Sequence, residues 1–197
     1  MNRAPLVVMP PRLFAPAAYY DLIATYQAVY IDYDMRYNKR DKEAHRYDIA
    51  DARGRLSLTV PVSKPEGFTT GNLKWSDVRV SAHGRWWGVQ QVALESAYGG
   101  TPFFEYYIDR FSDFFAPRPL DVDETVADLV RRANNIVRLL TGMKTYFLKE
   151  LPEGVPFDDY RNRPVPAENE PYRQLRGAQF GFIAGLSVLD RIFNEGR

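Results

Sequence analysis

Four consecutive apolar residues, Leu6-Val7-Val8-Met9, stop abruptly at Pro10-Pro11. Such a run reads as a short buried strand, and the prolines end it because they bring no N–H to a ladder. Pro16 then suits the first turn of a helix, with Ala17 to Tyr26 continuing it. Ala28-Val29-Tyr30-Ile31 is a second apolar run, so strand, helix and strand predict a right-handed βαβ unit with parallel strands. Further on the period becomes two. Leu56, Leu58 and Val60 alternate with Ser57 and Thr59, predicting a hairpin of residues 47–50 and 56–60 across Asp51-Ala52-Arg53-Gly54. Residues 61–71, rich in Pro, Gly and Thr, read as a mobile connection, and 75–81 as one more strand.

The period then becomes helical. Trp86 to Tyr98 is predicted as a helix stopped by Gly99-Gly100, after which Thr101-Pro102 supplies an N-cap and first helical residue. Phe104, Tyr107, Ile108, Phe111 and Phe115 fall on one face of that next helix, and Glu105, Asp109 and Ser112 on another. The clearest helix places Val122, Val126, Leu129, Ala133, Ile136 and Leu140 on one stripe. Asp121, Asp123 and Glu124 stand at its start and Gly142 at its end, as the helix dipole and a C-cap favour. Residues 144–174 hold five prolines and read as irregular, and Ser187 to Glu195 as a last short helix. The expected fold is a single α/β domain over residues 1–197: a small mixed sheet, made of the N-terminal βαβ unit plus the hairpin, packed with about five helices.

Composition narrows the partners. Lys plus Arg total 26 against 25 Asp plus Glu, a net +1 that argues against nucleic acid as the main partner. No apolar run approaches the roughly 20 residues of a bilayer span, and prolines interrupt the only greasy stretch near the N-terminus, so no signal pattern is read there. The absence of cysteine fits a cytoplasmic protein and removes thiolate chemistry. With two histidines 38 positions apart, no metal site and no cofactor are expected from ligand spacing.

Polar chemistry gathers in a few places. Residues 36–46 contain five Arg or Lys against Asp41 and Glu43, a net +3 in a nearly neutral chain. Lys39, Arg40, Lys42 and Arg46 are candidates to clamp phosphate or carboxylate, and His45 to move a proton beside them. A solvated loop with locally cancelling charges is the competing account. Glu95 is a candidate acid or base near the double glycine, and Tyr98 and Tyr106 candidate walls of a cleft, although aromatics at helical spacing more often fill a core. Asp190 has a structural account as the reaching-back member of a capping box with Ser187, whereas Asn194 has none. Asp32-Tyr33-Asp34 offers two carboxylates one residue apart, the pairing of a metal-dependent sugar-nucleotide transferase, or simply a turn.

Four blocks resemble the WbqC-like family: Pro10-Pro11-x-x-Phe14-x-Pro16-x-x-Tyr19-Tyr20; Lys39-Arg40-x-Lys42-x-x-His45-Arg46 followed by 56–62; Ser96-Ala97-Tyr98-x-x-Thr101-Pro102-Phe103-Phe104-Glu105-Tyr106-Tyr107; and Phe180-Gly181-Phe182-Ile183 running on to Gly196. The sequence departs from many relatives at Lys42-Glu43-Ala44-His45, where they carry Tyr-Arg-Asn-Arg. It departs again at Gln90, where they place a histidine, and at Ala184-Gly185, where they read Pro-Asn. The resemblance implies a cytoplasmic bacterial protein of surface-polysaccharide (O-antigen) gene clusters. The resemblance names no mechanism; the residues read above suggest an enzyme acting on an anionic activated sugar or acyl donor, with His45, Glu95 and Tyr98 catalytic, the four cations on the anion, and Asp190, Asn194 and Tyr106 around it. A non-enzymatic interaction protein, homodimeric through its aromatic helix, is the alternative.

Overall fold

The computed structural model describes residues 4–67, 71–117, 119, 123–165 and 171–197. Strand β1 (Ala4–Met9) and β2 (Tyr26–Ile31) pair in parallel, with Leu6 opposite Ala28 and Met9 opposite Ile31, and α1 (Ala17–Ala24) links them. Leu6 to Met9 are all buried, as a parallel strand covered on both faces requires. The helix ends two residues earlier than its sequence predicts. Thr25 folds its hydroxyl onto the Leu22 carbonyl at 2.7 Å, and Thr145 donates to the Ile23 and Tyr26 carbonyls, so Tyr26 already belongs to the sheet.

The hairpin forms from β3 (Arg46–Asp51) and β4 (Gly54–Thr59), antiparallel, with Asp51 opposite Gly54. Ala52 and Arg53 make its two-residue turn, and Gly54 takes φ 107° where a side chain would be strained. Two further residues on each side pair as β5 (Val62–Ser63) and β6 (Arg79–Val80). The longer strand expected over 75–81 is absent because Trp75 to Val78 turn instead: Val78 N–H reaches the Trp75 carbonyl, and the Trp75 ring packs on Tyr37. Residues 68–70, within the expected connection, lie outside the described residues.

Helix α2 (Trp86–Tyr98) has the predicted span. Its end is closed by Thr101, whose N–H and hydroxyl both donate to the Tyr98 carbonyl at 2.8 and 2.7 Å. Thr101 is therefore the stop of α2 rather than the N-cap of the next helix. That helix, α3 (Phe104–Tyr107), is a single turn passing into a 3₁₀ turn over Ile108–Phe111. Helix α4 (Val126–Thr141) begins at Thr125 and Asp128, which cap each other reciprocally, and ends at Gly142 with φ 63°. Asp121 and Val122, expected at its start, lie outside the described residues.

The proline-rich stretch supplies two short strands, β7 (Tyr146–Leu148) and β8 (Asp158–Asp159), which flank the first pair in the order β7-β2-β1-β8, all parallel. The structure is thus α/β with one parallel sheet and two separate antiparallel pairs. One turn of helix, α5 (Gly177–Phe180), precedes α6 (Val188–Glu195). Helix α6 buries Val188, Leu189, Ile192 and Phe193 completely. Phe193 meets Tyr98, Phe104 and Phe111 at ring separations of 5.1–5.8 Å, and Phe14 joins Phe111 to Tyr47, so a single aromatic seam ties α2, α3, α6 and the hairpin together.

Candidate functional site

A cavity of about 450 Å³ lies between the turn after β1, the basic loop, the hairpin and the start of α6, lined by Arg12, Arg40, Lys42 and Arg46 and by Asp41, Glu43 and Asp48. Pro10-Pro11 end β1 and throw the chain into a turn in which Phe14 adopts φ 41°, left-handed for a residue with a Cβ. That conformation costs about 1–2 kcal/mol. Its buried ring, 4.7 Å from Phe114 and 5.2 Å from Tyr47, offsets the cost. The turn's backbone then holds both neighbours: Leu13 N–H donates to the Glu43 carbonyl, and the Ala15 carbonyl accepts from Val188, both at 2.8 Å.

Alternation on the hairpin supplies the opposite wall. Tyr47, Ile49 and Leu58 point into the core, so Arg46 and Asp48 with their cross-strand partners Thr59 and Ser57 share the other face. Arg46 donates from Nε to Thr59 Oγ1 at 2.8 Å, and Ser57 donates to Asp48 Oδ1 at 2.6 Å. Arg55 pairs with Asp48 Oδ2 at 2.8 Å and also donates to the Ala184 and Gly185 carbonyls, bringing that segment to the cavity rim.

Within this cavity the acidic groups are already engaged. Arg12 takes Asp41, at 3.5 Å, and Glu43; Arg55 takes Asp48. Among the described residues Arg40, Lys42 and Arg46 line the same cavity and make no ion pair. The backbone at the start of α6 does not add to this anion-attracting set, because its N–H groups at Val188, Leu189 and Asp190 donate to Ala15, Ser187 Oγ and Ser187.

Other residues singled out in the sequence separate from this wall. Lys39 is exposed and does not line the cavity. His45 is buried, its Nδ1 donating to the Val60 carbonyl at 2.8 Å; burial pushes its pKa down, and Arg46 and Lys42 push the same way. Glu95 stands exposed on α2. Tyr106 is 75% exposed, while Phe104 and Phe114, its neighbours in the aromatic stretch, are in the core.

Tyr98, Asp190 and Asn194 form a second, internal polar centre. Asp190 is not the reaching-back member of a capping box: Ser187 Oγ caps Leu189, and the Asp190 carboxylate turns inward. It accepts from Gln174 Nε2 at 3.0 Å and faces the Tyr98 and Tyr172 hydroxyls. Burial raises its pKa against the pull of those three donors. Gln174 also joins both backbone groups of Ile183, and Asn194 accepts from Leu175 N–H, so the centre fastens residues 174–183 onto α6. Tyr98, its own pKa raised by burial and then by Asp190, accepts from Ala50 N–H and ties the centre to β3. None of these three side chains lines the basic cavity.

Asp32 and Asp34 also diverge. Asp32 takes Arg161 at 2.9 Å, whereas Asp34 takes Ser76 at 2.8 Å and Lys74 at 3.4 Å. Among the described residues no group of three or more His, Asp or Glu side chains could hold a metal ion. Nor, among them, is any helix long and apolar enough to cross a membrane.

The model of the WbqC-like protein family matches residues 11–150. The chain belongs to this family. The match contains the hairpin, the basic loop and, with them, Arg40, Lys42 and Arg46; Gly185 and Ser187, on the remaining wall, lie beyond it in this WbqC-like chain. No curated protein and no solved structure matches the chain.

Proposed function

We propose that the basic cavity receives the anionic part of a small molecule, with Arg40, Lys42 and Arg46 as its clamp. The observation that carries this reading is that three cations, without ion pairs among the described residues, line a cavity of about 450 Å³, within the size range of small-molecule sites. Two arginines suit a phosphate or carboxylate, since each guanidinium presents a planar fork to two oxygens. The WbqC-like kinship favours an activated sugar or acyl donor of bacterial surface-polysaccharide assembly as the substrate, handled in the cytoplasm.

The test is a thermal-shift screen of nucleotide sugars and acyl donors, followed by calorimetric titration of the best hit. At least one anionic compound should raise the melting temperature, and Arg46→Ala or Lys42→Ala should weaken its binding about tenfold, the effect of losing one charge-assisted hydrogen bond. Binding that both variants leave untouched, or no binding at millimolar concentration, overturns the reading. The interaction-protein alternative rests on Tyr106, whose exposed ring stands edge-on to Tyr107 at 4.8 Å. A concentration-dependent mass increase that Tyr106→Ser abolishes would favour it.

A further inference from the structure

The lining of the basic cavity is chemically lopsided. Arg40 and Lys42 of the loop and Arg46 at the start of β3 can only donate hydrogen bonds, and the loop's acceptors, Asp41 and Glu43, are taken by Arg12. On the same hairpin face as Arg46 stand Asp48 and Ser57, cross-strand partners whose side chains bond each other at 2.6 Å. Ser57 spends its single proton on Asp48 Oδ1, so its oxygen faces the cavity with lone pairs only. Each Asp48 oxygen has about two acceptor positions, and the structure fills one on each, from Ser57 and from Arg55. Among the described residues, both hairpin side chains lining the cavity at this register position therefore keep acceptor positions open to a ligand.

Resting on the anion reading above, we infer that the ligand is a hydroxylated anion, its charged group on Arg40, Lys42 and Arg46 and its hydroxyls donating to Asp48 and Ser57. A simple anion would satisfy the cations and leave Asp48 and Ser57 to water. An ammonium would satisfy the acceptors, but Asp48 is already neutralised by Arg55 at 2.8 Å, and the three cations lining the same cavity disfavour a second positive charge. A neutral hydroxyl meets neither objection. The pair is also held in place before any ligand arrives. Arg55 anchors Asp48 while donating to the Ala184 and Gly185 carbonyls, so the acceptors are fixed by the hairpin and the residue 184–185 segment together.

Three probes of related charge separate the possibilities: glucose 1-phosphate, ethyl phosphate and O-phosphoethanolamine, titrated by calorimetry into the full chain at low salt. Glucose 1-phosphate should bind about tenfold or more tightly than ethyl phosphate, the effect of hydrogen bonds to a charged acceptor. In Ser57→Ala and in Asp48→Asn that ratio should fall toward one. Because a ratio is read on the same sample, a partly unfolded variant does not mimic the effect. Equal binding of glucose 1-phosphate and ethyl phosphate overturns the hydroxyl assignment and leaves the anion clamp standing. Preference for O-phosphoethanolamine overturns it in favour of an ammonium. Failure of all three phosphates to bind overturns the anion clamp, and this inference with it.

Discussion

His45 donates from Nδ1 to the Val60 carbonyl at 2.8 Å, its ring tilted against Trp75 with 6.1 Å between centroids, in a setting only 8% exposed. Burial disfavours the imidazolium, and the charges of Arg46 and Lys42 add to that, so its pKa lies below the ordinary 6.5. The sign for stability follows. Above 6.5 the ring is neutral in both folded and unfolded chains; as pH falls below it, the unfolded chain takes up a proton that the folded one resists, and stability is lost. His45→Asn keeps a donor near the Nδ1 position and does not titrate. The melting temperature of the wild type should therefore fall relative to this variant as pH drops from 7 to 5, at most about 1.4 kcal/mol per pH unit for one proton. Parallel curves would show that the ring is not held neutral. That a histidine in a basic loop is a buried fastener is invisible in the sequence, because the Val60 carbonyl lies 15 residues away. Charge density in the sequence already points to Arg40, Lys42 and Arg46, and the fold sets all three on one cavity. Asp48 and Ser57 were not singled out, yet their alternation with Tyr47, Ile49, Leu56 and Leu58 already puts them on one face with Arg46.

At the scale of elements, local signals were reliable where an element closes its own hydrogen bonds. Helix α2 and the hairpin fall where period and turn residues put them, and α4 keeps its apolar stripe. Strands β7 and β8 went unread because they are three and two residues long among prolines, and only pairing with β2 and β1 makes them strands. The aromatic run after Pro102 has helical spacing, yet only Phe104–Tyr107 is α-helical. The chain tightens to a 3₁₀ turn over Ile108–Phe111, and Phe111, Phe114 and Phe115 are all buried. The α4 start shows how much one local device carries. Thr125 Oγ1 accepts from Asp128 N–H at 3.0 Å, and Asp128 Oδ2 accepts from Thr125 N–H at 3.2 Å. Thr125→Ala removes the first of these bonds and should cost about 1 kcal/mol, a drop of roughly 2–4 °C in melting temperature for a chain of this size. Thr125→Ser should restore most of it in the same melt; an unchanged melting temperature for Thr125→Ala would show that tertiary contacts alone hold the helix start.

For the whole molecule, the matched family region and the folding unit are different things. Residues 11–150 hold the cations of the cavity, but they omit β1, which lies between β2 and β8 in the sheet, and α6, which closes the aromatic seam. Without β1 the backbone edge of β2 is left open, and Val29 and Ile31, both buried, lose their cover on that side. Without α6 the rings of Tyr98, Phe104 and Phe111 lose Phe193, and the Ala15 carbonyl loses Val188 N–H beside the cavity. Truncating one such buried phenylalanine alone costs about 3–5 kcal/mol, against a total stability of about 5–15 kcal/mol for an ordinary domain. A fragment of residues 11–150 should therefore give no cooperative thermal transition by circular dichroism, whereas the full chain should, and Phe193→Ala in the full chain should melt well below wild type. A fragment melting cooperatively within a few degrees of the full chain would show that β1 and α6 only decorate a self-sufficient core. Since Gly185 and Ser187 stand on the cavity wall just before α6, loosening α6 should reach the site as well as the core. The rise in melting temperature that glucose 1-phosphate gives the full chain should shrink in Phe193→Ala, and an equal rise in both would show that the cavity does not depend on the packing of α6.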